Sequence, residues 1–384
     1  MTDFIGGNKI TLLRNGTEYF PALEQAIDRA IMEIHLQTYI YEDDVVGREI
    51  ARALIRAAQR GVMVCLMLDG FGCKDLPRQL TDQMQQAGVD VLFYRPKISP
   101  WTLRKNRLRR LHRKIAVFDG QVAFVGGINI IDDMNTPGHT PPRVDYAVKV
   151  EGPLVTAVQT NARYLWRRIA WAHLRRVKPL PMTPTPQRHD NVWAAYVMRD
   201  NIFHRHDIEE AYLAAIESAQ HEIVIANAYF LPGKLFRHAL TSAAKRGVRV
   251  VLLLQARVEY WMLNHAARAL YGKFLEAGIE IWEYRTSFMH SKVAVIDSRW
   301  ATVGSSNIDP ISLWLAREAN IVVDDTGFAH ILREDLERAM REDALQVSRQ
   351  DWENIGLVRR MVAWMTYYGV RLAMGIVGVP DKTG

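Results

Sequence analysis

Two stretches of the 384-residue sequence share one arrangement of polar residues: HRKIAVFDGQVAFVGGIN, beginning at His112, and HSKVAVIDSRWATVGSSN, beginning at His290. Each reads His-x-Lys, four residues, Asp, six residues, Gly-Gly/Ser-x-Asn. The first sets His112, Lys114, Asp119, Gly126, Gly127 and Asn129; the second sets His290, Lys292, Asp297, Gly304, Ser305 and Asn307 at the same internal spacing. A lone His-x-Lys is ordinarily surface noise, whereas an intact duplicate is a chemical signal. KIAVFD and KVAVID alternate as strands, in which residues two apart share a face. The His and Lys of each copy therefore point together, with Val117 and Val295 projecting the other way to pack. A turn at Asp119-Gly120 and a returning strand bring Asn129, or Asn307, back beside the first strand.

Two such sets meeting at an interface build a pocket of two imidazoles, two ammonium groups and two amides, an inventory that suits a phosphodiester. The lysines and asparagines hold the non-bridging oxygens as charge grows on them. One neutral imidazole can attack phosphorus to form a phosphohistidine. The other, protonated, can donate to the leaving oxygen and later deprotonate the incoming hydroxyl. Fixed cations stand where a metal would, so neither a metal nor a cofactor is expected. Asp119 and Asp297 sit at strand-to-turn junctions, where capping the backbone competes with a part in the chemistry.

The elements that must position these residues also come twice. YLAAIESAQHEIVIANAYF resembles ALEQAIDRAIMEIHLQTYI, AAKRGVRVVLLLQ matches AAQRGVMVCLMLD, and EAGIEIWEYR matches QAGVDVLFYR. A repeat outranks any single motif, and this period is too long for a solenoid. Strand-like runs alternating with helical ones predict a parallel α/β sheet. Four prolines between 179 and 186 cannot continue the helix predicted from Val155 to about Arg176 and read as an extended linker. The predicted division is a first half over 1–178, a linker over 179–190, a second half over 191–350 and an amphipathic helix within 351–384.

Composition narrows the partner. The net charge of +7, with a pI near 9.3, favours an anionic one, whether nucleic acid, anionic lipid or a phosphorylated substrate. Cys65 and Cys73 offer neither a disulfide framework nor a metal spacing. The N-terminal residues lack a secretion signal, and no stretch offers about 20 uninterrupted apolar residues for a membrane span.

The chain resembles the phospholipase D superfamily, whose hallmark is this duplicated motif, and within it the bacterial cardiolipin synthases of the shorter, B type. The similarity runs from about residue 8 to 350 and rests on GNKITLLRNG, LMLDGFG, the two motifs, DYAVKVEGP, IANAYFLPG and VGSSNIDPISL. It implies two homologous phospholipase D-like α/β half-domains with mixed, mostly parallel sheets, pseudo-twofold related, with the active site at their interface. It also implies a transferase that joins two phosphatidylglycerols through a phosphohistidine and releases glycerol, with His112 as nucleophile and His290 as general acid and base. A carboxylate downstream of each motif orients a histidine: Glu318 after the second, Asp145 after the first. Ser305 joins Asn129 and Asn307 among the expected phosphate-binding and orienting residues. Two features depart from many relatives. Asp309 is followed by Pro310 and Ile311 where a basic residue is common, as also in the B type, and the paired N-terminal membrane helices of longer cardiolipin synthases are missing.

Membrane attachment is therefore expected elsewhere. WTLRKNRLRRLHRK, from Trp101 to Lys114, interleaves seven basic residues with Trp101, Leu103, Leu108 and Leu111. Such a run is either a solvated loop or a contact with an anionic membrane worth about 1 kcal/mol per basic residue. Trp166 and Trp171, among arginines, suit core packing nearly as well as lipid. Trp352, Ile355, Val358, Met361, Val362, Met365 and Tyr368 recur at helical spacing, interrupted by Arg359, Arg360 and Arg371, as in a helix lying in the interface; docking on the core is the alternative. The expected partners are phosphatidylglycerol and an anionic membrane surface, at the cytoplasmic face of a bacterial inner membrane. Nucleic acid and an obligate protein partner are not expected. A lipid or nucleic acid phosphodiesterase of the same fold is the main rival, and a non-catalytic membrane scaffold a distant third.

Overall fold

The repeat is first visible in how helices stop. AAQRGV and AAKRGV end in the same way, with Gly61 and Gly247 at φ +90 and +91, a left-handed conformation that costs glycine least. The next amide then turns back onto the helix, from Val62 to the Ala57 carbonyl and from Val248 to the Ala243 carbonyl, each at 3.1 Å.

The computed structural model describes residues 2–95, 109–176, 179–200, 203–257, 261–309, 316–354 and 357–376. Its first half runs β1 (Ile5–Arg14), α1 (Asn15–Arg29), β2 (Glu33–Thr38), α2 (Val45–Gln59), β3 (Met63–Asp69), α3 (Arg78–Gln86) and β4 (Asp90–Tyr94). It continues with β5 (Arg110–Leu111), β6 (Lys114–Phe118), β7 (Val122–Gly126), β8 (Arg143–Val144), β9 (Tyr146–Glu151) and α4 (Val155–Ala172). The second half repeats this with β10 (Val192–Arg199), α5 (Asp207–Ser218), β11 (Glu222–Asn227), α6 (Lys234–Lys245), β12 (Arg249–Gln255), α7 (Trp261–Arg268), α8 (Tyr271–Glu276) and β13 (Glu280–Tyr284). Then come β14 (Phe288–Met289), β15 (Lys292–Ile296), β16 (Trp300–Gly304), β17 (Ala316–Asp324), α9 (Thr326–Asp343), β18 (Ala344–Gln346), α10 (Arg349–Glu353) and α11 (Leu357–Ile376).

The halves share one 16-stranded sheet, ordered β18-β13-β12-β11-β15-β16-β17-β10-β1-β9-β7-β6-β2-β3-β4, with β5 added on β17. Apart from β18 the order reads the same from both ends, because β1 and β10 occupy equivalent places and pair antiparallel at the centre. The sheet is mixed, but the expectation of mostly parallel strands is corrected. Parallel pairing within it joins β2, β3 and β4, joins β11, β12 and β13, and seats β5 on β17. The outer trios are linked by helical crossovers, which return the chain to the same edge and so make neighbours parallel. The motif strands are instead hairpins, β6 with β7 and β15 with β16, and hairpins are antiparallel.

Val117 and Val295, turned away from the motif faces, meet in one core with Val148, Val224, Leu253 and Ile321. Val155 and Val158 of α4 and Leu332 and Leu336 of α9 complete it. A second core under α1 and α2 (Leu23, Ile27, Leu54, Leu66) and a third under α5 and α6 (Ile216, Phe236, Leu240, Leu252) cover the other faces. Residues 179–189 form no regular element, yet they lie on the first half: the Pro181 and Pro184 carbonyls accept from Arg163 and Gln121 at 2.8 and 2.7 Å.

At the C-terminus, α11 docks and exposes at once. Ala363 and Tyr367 are buried in the third core, and Arg237 donates to the Tyr367 hydroxyl at 3.0 Å. Met361, Met365, Tyr368 and Leu372 stay exposed. Trp352, expected in the same amphipathic series, belongs to the separate α10 and is buried against Tyr271. No helix among the described residues is long and apolar enough to cross a membrane. Trp101, Leu103 and Leu108 of the basic-apolar run lie outside the described residues. Leu111, expected with them at the surface, is instead fully buried against Tyr94 and Trp166.

Candidate active site

Each histidine is delivered by a short strand that crosses to the other half. β5 pairs in parallel with the start of β17, Arg110 beside Ala316 and Leu111 beside Arg317. One residue further along, His112 therefore stands beside Glu318, and the amides of His112 and Arg113 both donate to the Arg317 carbonyl at 3.0 and 2.8 Å. β14 and β8 repeat this, Phe288 beside Arg143 and Met289 beside Val144. That register brings His290 to Asp145, with the His290 amide donating to the Val144 carbonyl at 2.7 Å.

The side chains complete what the backbone registers. His112 Nδ1 lies 2.9 and 3.1 Å from the two Glu318 oxygens, and His290 Nδ1 lies 2.7 Å from Asp145 Oδ2. Each carboxylate follows a motif, as expected, but serves the histidine of the other motif. With Nδ1–H donated to a carboxylate, the Nε2 lone pair is left for chemistry. The carboxylates are themselves held from within their own half. Ser305 Oγ donates to Glu318 Oε2 at 2.5 Å, and the Tyr146 amide donates to Asp145 Oδ1 at 2.8 Å. At the position equivalent to Ser305, Gly127 leaves room for Asp145: a Cβ there would stand 2.3 Å from Oδ1.

Lys114 and Lys292 are buried, and each ammonium donates to the carbonyl of its own histidine, Lys114 at 2.6 Å. Burial pulls Lys114 down to about 7, against the opposing pull of Glu318 and with Lys292 adding to the fall. Burial likewise pulls Lys292 down to about 8, with Asp145 and Glu318 opposing. His290 falls well below the usual histidine range, first through burial and then through Lys292, whose Nζ is 2.7 Å from its Nδ1. Burial works against ionisation of Asp145, but Lys292, His290 and the Tyr146 amide outweigh it and hold the acid below its usual range. Lys114 acts on His290 and Glu318 on Lys292, so the two motifs form one electrostatic unit.

Asn129 Oδ1 accepts from the Ile40 amide at 3.0 Å, which fixes the side chain; its NH₂ group has no partner among the described residues and can donate to a ligand. Asn307 is buried at the equivalent position of the second motif. Asp119 and Asp297 are not brought to this centre. They end β6 and β15 five residues beyond the lysines, roughly 16 Å of strand away. Asp119 accepts from the amides of Ile31, Met32 and Glu33 at 2.8–2.9 Å, and Asp297 from those of Gln220, His221 and Glu222 at 2.8–2.9 Å. Both have φ +51, a conformation that aspartate tolerates better than most residues. Of the two roles weighed for them, these contacts are those of backbone support. Among the described residues, no group of three His, Cys, Asp or Glu side chains is arranged to hold a metal ion.

Two features escaped the sequence reading. The Tyr39 ring lies 4.8 Å from the His112 ring and 5.4 Å from Lys114 Nζ, walling the first motif's side of the site. Its only signal was its place at the end of β2, where the second half has Ala228. Arg113 is buried, donating to Gln37 at 2.9 and 2.7 Å and to Asn161, and so ties the first motif to α4.

A family model described as "Cardiolipin synthase, PLD-like domain" matches residues 23–138 and 212–340. The chain is 40% identical over 364 residues to cardiolipin synthase B of Shigella flexneri, covering 91% of this chain and 86% of that protein. It is 33% identical over 354 residues to cardiolipin synthase A of Pseudomonas fluorescens, covering 90% and 72%. Among solved structures, phosphatidylserine synthase of Haemophilus influenzae Rd KW20 superposes with a TM-score of 0.72 at 13% identity, covering 99% of this chain and 97% of that one. Polyphosphate kinase of Porphyromonas gingivalis gives 0.57 at 14% identity, covering 97% and 54%. At these identities the two structures speak for the fold alone.

Proposed function

The chain belongs to the phospholipase D-like cardiolipin synthase family, and from that premise we propose that it moves a phosphatidyl group from one phosphatidylglycerol to another. The observation that carries the mechanism is the crossed pairing of His112 with Glu318 and of His290 with Asp145. His112 Nε2 attacks phosphorus while the bond to the glycerol oxygen breaks, and His290 gives that oxygen its proton. In the second step a hydroxyl of the acceptor phosphatidylglycerol passes its proton to His290 and attacks phosphorus. The P–N bond breaks and cardiolipin leaves. Lys114, Lys292, Asn129 and Asn307 hold the non-bridging oxygens throughout.

One observation favours a second reading of the same centre. The burial and the Lys292 charge that keep His290 neutral suit a nucleophile better than an acid. In the first reading the bound phosphodiester, an anion beside both lysines, recharges His290; in the second His290 attacks and His112 is the acid. Trapping the intermediate by rapid denaturation and locating the phosphorylated histidine by mass spectrometry separates them.

The protein works as a peripheral enzyme, seated on the anionic cytoplasmic face of a bacterial membrane. The apolar stripe of Met361, Met365, Tyr368 and Leu372 on an otherwise docked helix supports this, as does the basic charge. The function is tested by incubating purified protein with vesicles of labelled phosphatidylglycerol. Cardiolipin and free glycerol are expected; phosphatidic acid as the sole lipid product would assign the protein to the hydrolases.

A further inference from the structure

The two crossed ladders are equivalent in backbone and unlike in charge. Counted from the histidines and carboxylates, Arg109, Arg110 and Arg317 on the His112 side correspond to Ser287, Phe288 and Val144 on the His290 side, while Arg143 of the His290 side, set over the Phe288 ring at 5.5 Å, corresponds to Ala316. Arg317 is only 8% exposed. Its Nε is buried without a hydrogen bond, and its guanidinium has no hydrogen-bond or ion-pair partner among the described residues. Its guanidinium therefore keeps donors open for a partner of opposite charge.

The surroundings add like charge. Arg109 and Arg95 also lack a carboxylate partner among the described residues, Arg95 resting instead on the Tyr94 ring at 5.5 Å. Burial and the neighbouring Arg95, Arg317 and Arg205 all oppose the charge on Arg109. A bound anion would supply the matching charge.

We propose that Arg317, Arg109 and Arg95 form a second phosphodiester site, distinct from the histidine–lysine clamp, which binds the non-reacting phosphate of the acceptor lipid. This rests on the transfer reading given above. An acceptor phosphatidylglycerol carries its own phosphate three carbons from the hydroxyl that attacks, so a synthase must seat two phosphates where a hydrolase seats one. Arginine's planar fork matches phosphate oxygens in pairs. The site begins one residue from Glu318, whose carboxylate orients His112. The greater number of arginines on the His112 ladder gives a two-fold scaffold a direction, with the acceptor entering beside His112.

The test compares two acceptors in phosphatidylglycerol vesicles: phosphatidylglycerol itself, read as cardiolipin, and labelled free glycerol, read as label exchanged into phosphatidylglycerol. Free glycerol has no phosphate and does not need the second site. For Arg317→Gln, cardiolipin formation should fall at least tenfold, through a raised KM for acceptor, with glycerol exchange falling less than threefold. Arg109→Gln, at the more open edge, should show the same split and carries the test if Arg317→Gln does not fold. Equal loss of both reactions in folded protein would make the arginines part of the common centre, and loss of neither would leave no acceptor site; each overturns the proposal. Water-soluble glycerophosphoglycerol should inhibit cardiolipin formation at a concentration at least tenfold below that of inorganic phosphate. Equal potency would reassign the arginines to free phosphate and overturn the lipid assignment. A wild-type protein that exchanges or hydrolyses but never makes cardiolipin defeats the transfer reading instead, and is recognised before any variant is made.

Discussion

Lys114 and Lys292 sit where folding alone would not put them. Each ammonium is buried, and burial lowers the affinity of both for their protons, to about 7 and about 8 from a usual value of 10.5. A base whose folded pKa is depressed holds fewer protons in the native chain than in the unfolded one throughout that interval. Stability should therefore rise with pH from about 7 towards 10 as far as these groups decide it. Lys114→Met removes an ammonium whose charge burial opposes more strongly than Glu318 and Asp145 favour it, so unfolding stability at pH 6 should rise, and transfer should fall at least ~10²-fold. Chemical denaturation alongside a vesicle assay measures both, and a variant both less stable and active would refute this account. Because catalysis needs the charged forms, kcat/KM should fall above about pH 7–8 as Lys114 and then Lys292 lose their protons. The kcat profile should break at higher pH, since a bound phosphate anion holds those protons on. His112→Ala and His290→Ala should each reduce cardiolipin formation to background; substantial turnover in either would end the two-histidine mechanism. The residue types were legible in the sequence because spacing repeated. The burial of His290 and its contact with Lys292, which together keep it neutral, were not, since they depend on distances across a fold.

At the scale of elements, strand alternation in KIAVFD and KVAVID was enough to predict that His and Lys share a face, and Val117 and Val295 do pack away from it. Two things were hidden. Glu318 and Asp145 follow their motifs at comparable distances, and spacing within one half cannot reveal that each carboxylate reaches the histidine of the other half. The mostly parallel expectation came from counting helical crossovers and overlooking that the motif hairpins and their neighbours are antiparallel. Asp119 and Asp297 illustrate a further limit, for a place shared by both copies of a motif fits a support role as well as a chemical one. Asp119→Ala removes the acceptor of three amides and should destabilise the fold by about 1–3 kcal/mol, with turnover per folded molecule retained. A variant of full stability and no turnover would return this residue to the chemistry.

At the scale of the whole molecule, one sheet runs through both halves, and α11 closes the far end with an apolar stripe outward. Replacing Met361 and Leu372 by Glu should weaken sedimentation with anionic vesicles by at least about tenfold, given the apolar area each side chain would bury, without lowering the thermal midpoint. Unchanged sedimentation would remove α11 from the membrane contact. Binding should also weaken as salt screens the basic surface. Transfer should persist in EDTA, with both lysines supplying the fixed positive charge; loss restored by a divalent ion would require another scheme. The duplication was legible at this scale, whereas the docking of α11 was not, because its buried Ala363 and Tyr367 are no more apolar than its exposed methionines.

The exchange of short strands ahead of each histidine determines how such a chain can be divided. If it is cut within residues 179–189, each fragment keeps one histidine and one carboxylate, but the two belong to different pairs. Neither fragment can orient an imidazole by itself, so severed halves should be inert apart and recover activity when mixed. Two copies of a single half could trade the same strands across a dimer axis and form both pairs at once. An ancestor before the duplication would then have been an obligate homodimer, and in a joined chain the two sides are free to differ, as the arginines of the two ladders do.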